Sequence, residues 1–190
     1  FPFHDDVVPV IFAATGLENV NSSVNGDDTF GDRITVAFRP TGTNTEDCLG
    51  SSTVHNGLIV NSYYVDPDTN TLQCDGGAIG NPQPLADGIE SLQVLYGIDE
   101  NGDGFADHYR NASQVNDVIA TTPELQLAVV SVQISLLVNS QNLAKDSKPS
   151  DVGASPNTYT LLDTTVTEPD DDFLARRVFS ATIPLRNRMP

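Results

Sequence analysis

The sequence predicts a mainly β fold: an antiparallel sheet of about six or more strands with long loops and at most one short helix. Two observations carry this expectation. Apolar side chains recur at every second position in several separate stretches, as they do in strands with one buried and one wet face. Between those stretches stand clusters of Gly, Pro, Asn, Asp and Ser, residues that break regular structure and favour turns. A chain of 190 residues can bury a core of its own, and no repeat or shift in composition divides it, so one globular domain over residues 1–190 is expected.

Taken in order, DRITVAFR at 32–39 reads as a half-buried strand with Ile34, Val36 and Phe38 inward. GLIVNSYYV at 57–65 and ESLQVLYGI at 90–98 are rich in branched and aromatic residues and are bounded by turn formers. The best helix signal is SQVNDVIA at 113–120, with Ser113 as cap, Val115, Val118 and Ile119 inward, and two turns at most before Pro123. AVVSVQISLLV at 128–138 alternates most cleanly: Val130, Val132, Ile134, Leu136 and Val138 share one face, and Ser131, Gln133 and Ser135 the other. NTYTLLDTTV at 157–166 reads as a further strand, and RRVFSATIPLRNR as the last, with Phe179, Ala181, Ile183 and Leu185 inward. Segments 13–31 and 143–158 lack periodicity and read as long surface loops.

Charge narrows the range of partners. With 26 acidic against 9 basic residues the formal charge is -17, a field that repels phosphate backbones and anionic lipid and attracts divalent cations. No nucleic-acid contact is expected. The start, FPFHDDVVPV, has neither the basic opening nor the apolar core of a signal peptide, so an export signal is expected to lie outside this chain.

Cys48 and Cys74 are the two cysteines, without CxxC spacing or catalytic context. Their pairing as a disulfide is expected, which would stabilise the fold by roughly 3 to 4 kcal/mol in the chain-entropy account and implies an oxidising compartment.

GIDENGDGFADHYR at 97–110 carries the most distinctive pattern. Calcium loops wrap an ion with oxygens at positions 1, 3, 5, 7 (a main-chain carbonyl) and 9, and need a glycine at position 6. Asp99, Asn101, Asp103, the Phe105 carbonyl and Asp107 fill those five places, with Gly104 at the sixth. Arg110 stands where an EF-hand places its bidentate Glu, and the flanks read as strands, so this is not an EF-hand. The other reading is a hairpin turn built on Asn101-Gly102 and Asp103-Gly104 with solvated acids. The pattern leaves both open, with Ca2+ as the cofactor if a metal binds.

Catalytic motifs are not evident. His4, His55 and His108 have no metal-ligand spacing, and no nucleophile elbow, phosphate loop or dinucleotide fingerprint occurs. The acidic run TEPDDDF at 167–173 reads as a solvated loop. Arg176, Arg177, Arg186 and Arg188 follow it, and are expected to pair with internal acids or to form a docking patch for an acidic neighbour.

The ordered set GDRITVAFRP, EDCLGSS, NSYYVDPDTNTLQCDGG, LADGIESLQVLYGIDENGDGFADHYR, AVVSVQISLLVNS and RRVFSATIPLRNR resembles the C-terminal globular part of the PilW-type minor pilins of the bacterial type IV pilus. The resemblance implies an architecture in which a long N-terminal helix packs against an antiparallel sheet, its apolar first half anchoring the protein in the inner membrane before assembly. This chain shows no such helix at its start and reads as a soluble fragment beginning after it, so membrane contact would reside in that helix. An apolar groove on the sheet is expected where the helix packs. The resemblance also implies that Cys48 and Cys74 are a recurring pair, and that the Asp99–Asp107 loop sits where relatives carry acidic, Gly-rich turns.

The function it implies is structural and non-enzymatic: a subunit of pilus assembly and initiation, at the cell-surface pilus or in the periplasm. Its partners would be other minor pilins, the major pilin and a PilY-type tip adhesin. Two rivals are a secreted calcium-dependent binding or adhesion module and a periplasmic hydrolase with paired carboxylates. The latter would display a deep cleft holding two acids with perturbed titration.

Overall fold

The structure is a computed structural model that describes residues 8–9, 23–26, 31–40, 45–52, 54, 57–77, 81–121, 129–143, 156–169 and 173–185. Period-two sequence becomes sheet throughout. Strands β1 (Val8–Pro9), β2 (Ile34–Phe38), β3 (Ile59–Asp66), β4 (Thr71–Asp75) and β5 (Gln83–Asp87) pair antiparallel in chain order as a five-stranded sheet. Strands β6 (Ile89–Ile98), β7 (His108–Arg110), β8 (Val129–Leu143) and β11 (Leu174–Pro184) form a second sheet in the order β11-β8-β6-β7. β9 (Thr158–Leu161) and β10 (Thr164–Thr167) make a separate hairpin, and α1 (Ala112–Thr121) is the single helix among the described residues. The protein is thus mainly antiparallel β, as its alternation predicts.

Register fixes the faces. Leu92, Val94 and Tyr96 of β6 lie opposite Leu136, Ile134 and Val132 of β8, which in turn lie opposite Phe179, Ala181 and Ile183 of β11. Cross-strand partners project to the same side, so these nine side chains share one face. Ser131, Gln133, Ser135 and Leu137 take the other, in agreement with the sequence. The two sheets meet where Gly31 bridges Leu92 and the Asp32 N–H donates to the Leu92 carbonyl at 2.6 Å. The core gathers at this junction, from Ile34 and Val65 across Leu92, Val94, Tyr96 and Val132 to Ala112 and Val115 of the helix.

Several expectations need correction. β2 is not half-buried: Thr35 and Ala37 are as inaccessible as Ile34 and Phe38, and Thr35 bonds to Ser23 through its N–H and to Ser62 of β3 through its hydroxyl. Residues 157–166 are a hairpin rather than one strand, since Leu162 turns the chain at a left-handed φ of 53°. The helix is longer than two turns at 10 residues, and its cap is Asn111, not Ser113. The Asn111 Oδ1 accepts from the Gln114 N–H at 3.0 Å while the Gln114 Oε1 accepts from the Asn111 N–H at 3.1 Å, a reciprocal capping box. The inward positions assigned to Val118 and Ile119 lie outside the described side chains.

Most of segments 13–31 and 143–158 also lies outside the described residues. What is described of the first is tied in rather than loose: Ser23 is 1% exposed, and Val24 pairs with Arg33. Strands β4, β5 and β7 were not legible as alternation. β5 is exposed at every position and exists through its ladder to β4. The largest correction concerns β11, where Phe179, Ala181 and Ile183, expected inward, are exposed and only Leu185 is half-buried. β11 is the end strand of its sheet, with β8 as its hydrogen-bonded neighbour.

Candidate functional site

Burial falls steadily across the shared apolar face. On β6, Leu92, Val94 and Tyr96 are 2%, 2% and 1% exposed; on β11, Phe179 and Ile183 are 52% and 46% exposed. Between them Ile134 and Leu136 are half-buried. The result is a groove of about 360 Å³ lined by Ile34, Val36, Tyr63 and Leu72 of the first sheet, and by Leu92, Val132, Ile134, Leu136, Ile183 and Leu185 of the second. Both sheets therefore contribute a wall. Nothing in the lining but the Tyr63 phenol could exchange a proton, and burial pushes that phenol up from its ordinary value. Chemically the groove can do one thing well, which is to cover apolar surface. Covering Phe179 and Ile183 alone would contribute on the order of 2 kcal/mol.

On the opposite side of β11 one charged side chain is enclosed, while Ser180, Thr182 and Pro184 are exposed. Arg176, whose side chain is 3% exposed, donates to Glu90 from Nε at 2.6 Å and from Nη2 at 2.9 Å, and its Nη1 stands 3.6 Å from Glu168. Glu168 belongs to the acidic run expected to be solvated, yet its side chain is fully inaccessible and also accepts from the Asn157 N–H at 3.0 Å and Asn157 Nδ2 at 2.8 Å. Internal pairing thus accounts for Arg176. Arg177 lies over the Phe179 ring at 5.4 Å, and Arg186 and Arg188 fall outside the described residues.

The 97–110 segment is a hairpin connection, with Ile98 opposite His108 and the Asp107 N–H donating to the Ile98 carbonyl at 2.8 Å. Asp99 organises it. Its Oδ1 accepts from the N–H groups of Asn101, Gly102 and Asp103 at 3.2, 2.6 and 3.3 Å, and its Oδ2 from Gly104 at 2.8 Å. Desolvation works to raise the Asp99 carboxyl, but these four N–H donors outweigh it and hold it below its ordinary value. Gly102 and Gly104 take φ of 80° and 84°, which a side chain would resist.

Of the other donors predicted for calcium, Asn101 Oδ1 accepts from the Asp103 N–H, Asp103 Oδ1 from the Phe105 N–H, and Asp107 Oδ1 from Asn101 Nδ2 at 3.1 Å. The five positions share one loop. Among the described residues no three Asp, Glu, His or Cys side chains stand around a common point. Arg110 and His108 instead approach Glu100, at 4.0 and 3.3 Å. Phe105 projects from the loop, 74% exposed.

Cys48 and Cys74 form the expected disulfide. Asp47 beside it is 7% exposed and accepts from the N–H groups of Leu49, Ser51 and Gly77, so the two cysteine loops are stitched by a carboxylate as well as by sulfur. Asp47, Asp32 and Glu168 are buried acids that sequence reading missed, since an acid next to a strand gives no sign of where its neighbours fold. No described helix is long and apolar enough to cross a membrane.

Comparison with known proteins adds a family. Residues 62–187 match the family model described as Type IV Pilus-assembly protein W, PilW. Among solved structures the chain is similar to a type IV-like pilin, TTHA1219 from Thermus thermophilus, at 16% identity and a TM-score of 0.48, over 88% of this chain and 84% of that one. No curated protein matches.

Proposed function

The chain belongs to the PilW family of type IV pilus-assembly proteins, and from that premise we propose that it is a structural, non-enzymatic minor pilin subunit whose groove receives an amphipathic helix. The groove is the observation that carries this reading. Its ten lining residues include no acid and no histidine, which favours packing over hydrolysis by paired carboxylates. An apolar trough with an exposed Ile in its lining, and an exposed Phe on the same sheet face, on an otherwise acidic molecule marks a contact surface, because water leaves such a surface at a gain in free energy. The helix occupying the trough would join the fibre core, and the sheet domain would meet other minor pilins, the major pilin and a PilY-type adhesin at the pilus tip.

The test is binding of a synthetic amphipathic helix to the purified chain, followed by fluorescence anisotropy, with Leu136→Asp and Ile183→Asp as variants. Saturable binding that both variants abolish is expected. A peptide that binds all three proteins equally, or none, overturns the groove reading.

We also propose calcium for the Asp99–Asp107 loop, exchanging the Asn101 to Asp107 bond for a shared ion and stiffening the loop for subunit contact. Alternate donor spacing and the glycine at position 104 support it. Calorimetric titration of EDTA-treated protein should give a binding heat that Asp103→Ala removes. No heat at about millimolar calcium, or heat unchanged in the variant, sinks this proposal.

A further inference from the structure

The two larger sheets end in four strands, and three of them are poor templates for a further strand. β1 has 2 residues, β7 has 3, and β5 has 5 with Pro84 among them. β11 is different: it runs for 11 residues, with β8 along one side and no described strand along the other. Sheet edges are ordinarily blunted by shortness, by charge, above all lysine, or by proline. LARRVFSATIP holds no acid and no lysine, and its proline comes last.

Backbone parity says which groups are open. The Leu185 N–H donates to the Val130 carbonyl at 2.8 Å, so Leu185 turns its main chain toward β8. Successive residues of a strand direct their main chains to opposite edges, so Phe179, Ala181 and Ile183 also bond to β8. Val178, Ser180 and Thr182 direct both N–H and C=O away from it. The far edge of β8 agrees: the Asn139 N–H donates to the Gly88 carbonyl beside β6, so odd-numbered residues of β8 face β6 and even-numbered ones face β11. Pro184 belongs to the outward set and has no N–H to offer, which is the position an edge strand allows to proline.

We propose that this edge receives an extended segment of another protein, added as a strand in which apolar and polar residues alternate and an acid stands near one end. The main chains of Val178, Ser180 and Thr182 hold it, and the alternating side chains select it. Phe179, Ala181 and Ile183 share one face, where Phe179 and Ile183 are 52% and 46% exposed, so residues opposite these three are apolar. Residues opposite Ser180 and Thr182 meet exposed hydroxyls on the other face and are polar. Arg177 is exposed and lies over the Phe179 ring, so an acid suits the place opposite it. A second copy of this chain is the poorer occupant, since two molecules of formal charge -17 repel each other. The bonds lie in the plane of the sheet, so the proposal stands whether or not a helix fills the groove.

Amide hydrogen exchange by NMR on the intact chain tests it, with the acetylated peptide Ile-Thr-Val-Thr-Ile-Thr-Glu as probe. Without peptide, the N–H groups of Val178, Ser180 and Thr182 should exchange fast and those of Phe179, Ala181 and Ile183 slowly. Peptide should slow the first three by about tenfold or more. Thr182→Pro removes one outward N–H and spares the ladder to β8, and should weaken binding by about tenfold or more, whereas Thr182→Ala should not. Should Thr182→Pro not fold, the exchange pattern alone decides. Protection of the outward three without peptide overturns the proposal: independent of protein concentration it means that this chain covers its own edge, and rising with concentration it means a second copy. No added protection at about millimolar peptide, or equal binding by a folded Thr182→Pro, overturns it as well. Leu136→Asp, which disables the groove, should leave the strand peptide bound, so the two readings fail separately.

Discussion

Two places on opposite sides of β11 hold side chains of opposite character in opposite surroundings: Arg176 is charged and its side chain is 3% exposed, whereas Phe179 and Ile183 are apolar and 52% and 46% exposed. The usual sorting of residues is reversed within one strand. Arg176 is tolerated inside because Glu90 meets its guanidinium with two bonds and Glu168 approaches from a third side. Phe179 and Ile183 stand exposed on the end strand of a face whose inner part, on β6, is buried. A finished core and an unfinished one thus share a sheet, and the unfinished part is where a partner gains most by docking.

The sharpest way to break this comparison is to remove its charged member. Arg176→Ala strands Glu90 and the buried Glu168 without a cation, and should cost about 3 to 5 kcal/mol in denaturant unfolding, against less than about 1 kcal/mol for Phe179→Ala in the isolated chain. Equal costs would mean that β11 is not asymmetric.

A smaller effect separates the closed and open ends of the apolar face. Leu92→Ala, at 2% exposure, should cost about 2 to 4 kcal/mol, and Ile183→Ala below about 1 kcal/mol, in thermal or chemical unfolding. A large cost at Ile183 would show that the groove is already filled by part of this chain.

The least global change is expected at the acidic loop, which is held by its own bonds. Asp99→Ala should remove hydrogen-exchange protection at Gly102, Asp103 and Gly104 while the unfolding midpoint stays nearly fixed. The Asp99 carboxyl is held below its ordinary value, so its contribution is present above that value and is lost as pH falls through the lowered one. A midpoint that drops with Asp99→Ala would make the loop part of the cooperative core.

Much of the sheet was legible because alternation is local: β2, β3, β6 and β8 appear where Ile34 to Phe38, Ile59 to Val65, Ile89 to Ile98 and Val129 to Val138 alternate or cluster. β5 was not, since QPLAD has no apolar face and owes its extension to β4. The hairpin at the acidic loop could be read from Asn101-Gly102 and Asp103-Gly104, and the five oxygen donors from their spacing. The role of Asp99 as the acceptor for four main-chain N–H groups could not, as those contacts form only once the loop has closed. The groove is implied by resemblance to a pilin, but the exposure of Phe179, Ala181 and Ile183 is not legible, because the pattern of RRVFSATIPLRNR says which side chains share a face and is silent about what covers that face.

By itself, then, the sequence determined the β class, the faces of the long strands, the cysteine pair and the composition of the acidic loop, all of which depend on neighbours a few residues apart or on composition. Tertiary structure alone decided which faces close. It buried Asp32, Asp47, Glu168 and Arg176 and left Phe179 and Ile183 in water, because burial depends on what arrives from distant parts of the chain: Glu90 lies 86 residues from Arg176, and Asp32 lies 62 from Val94.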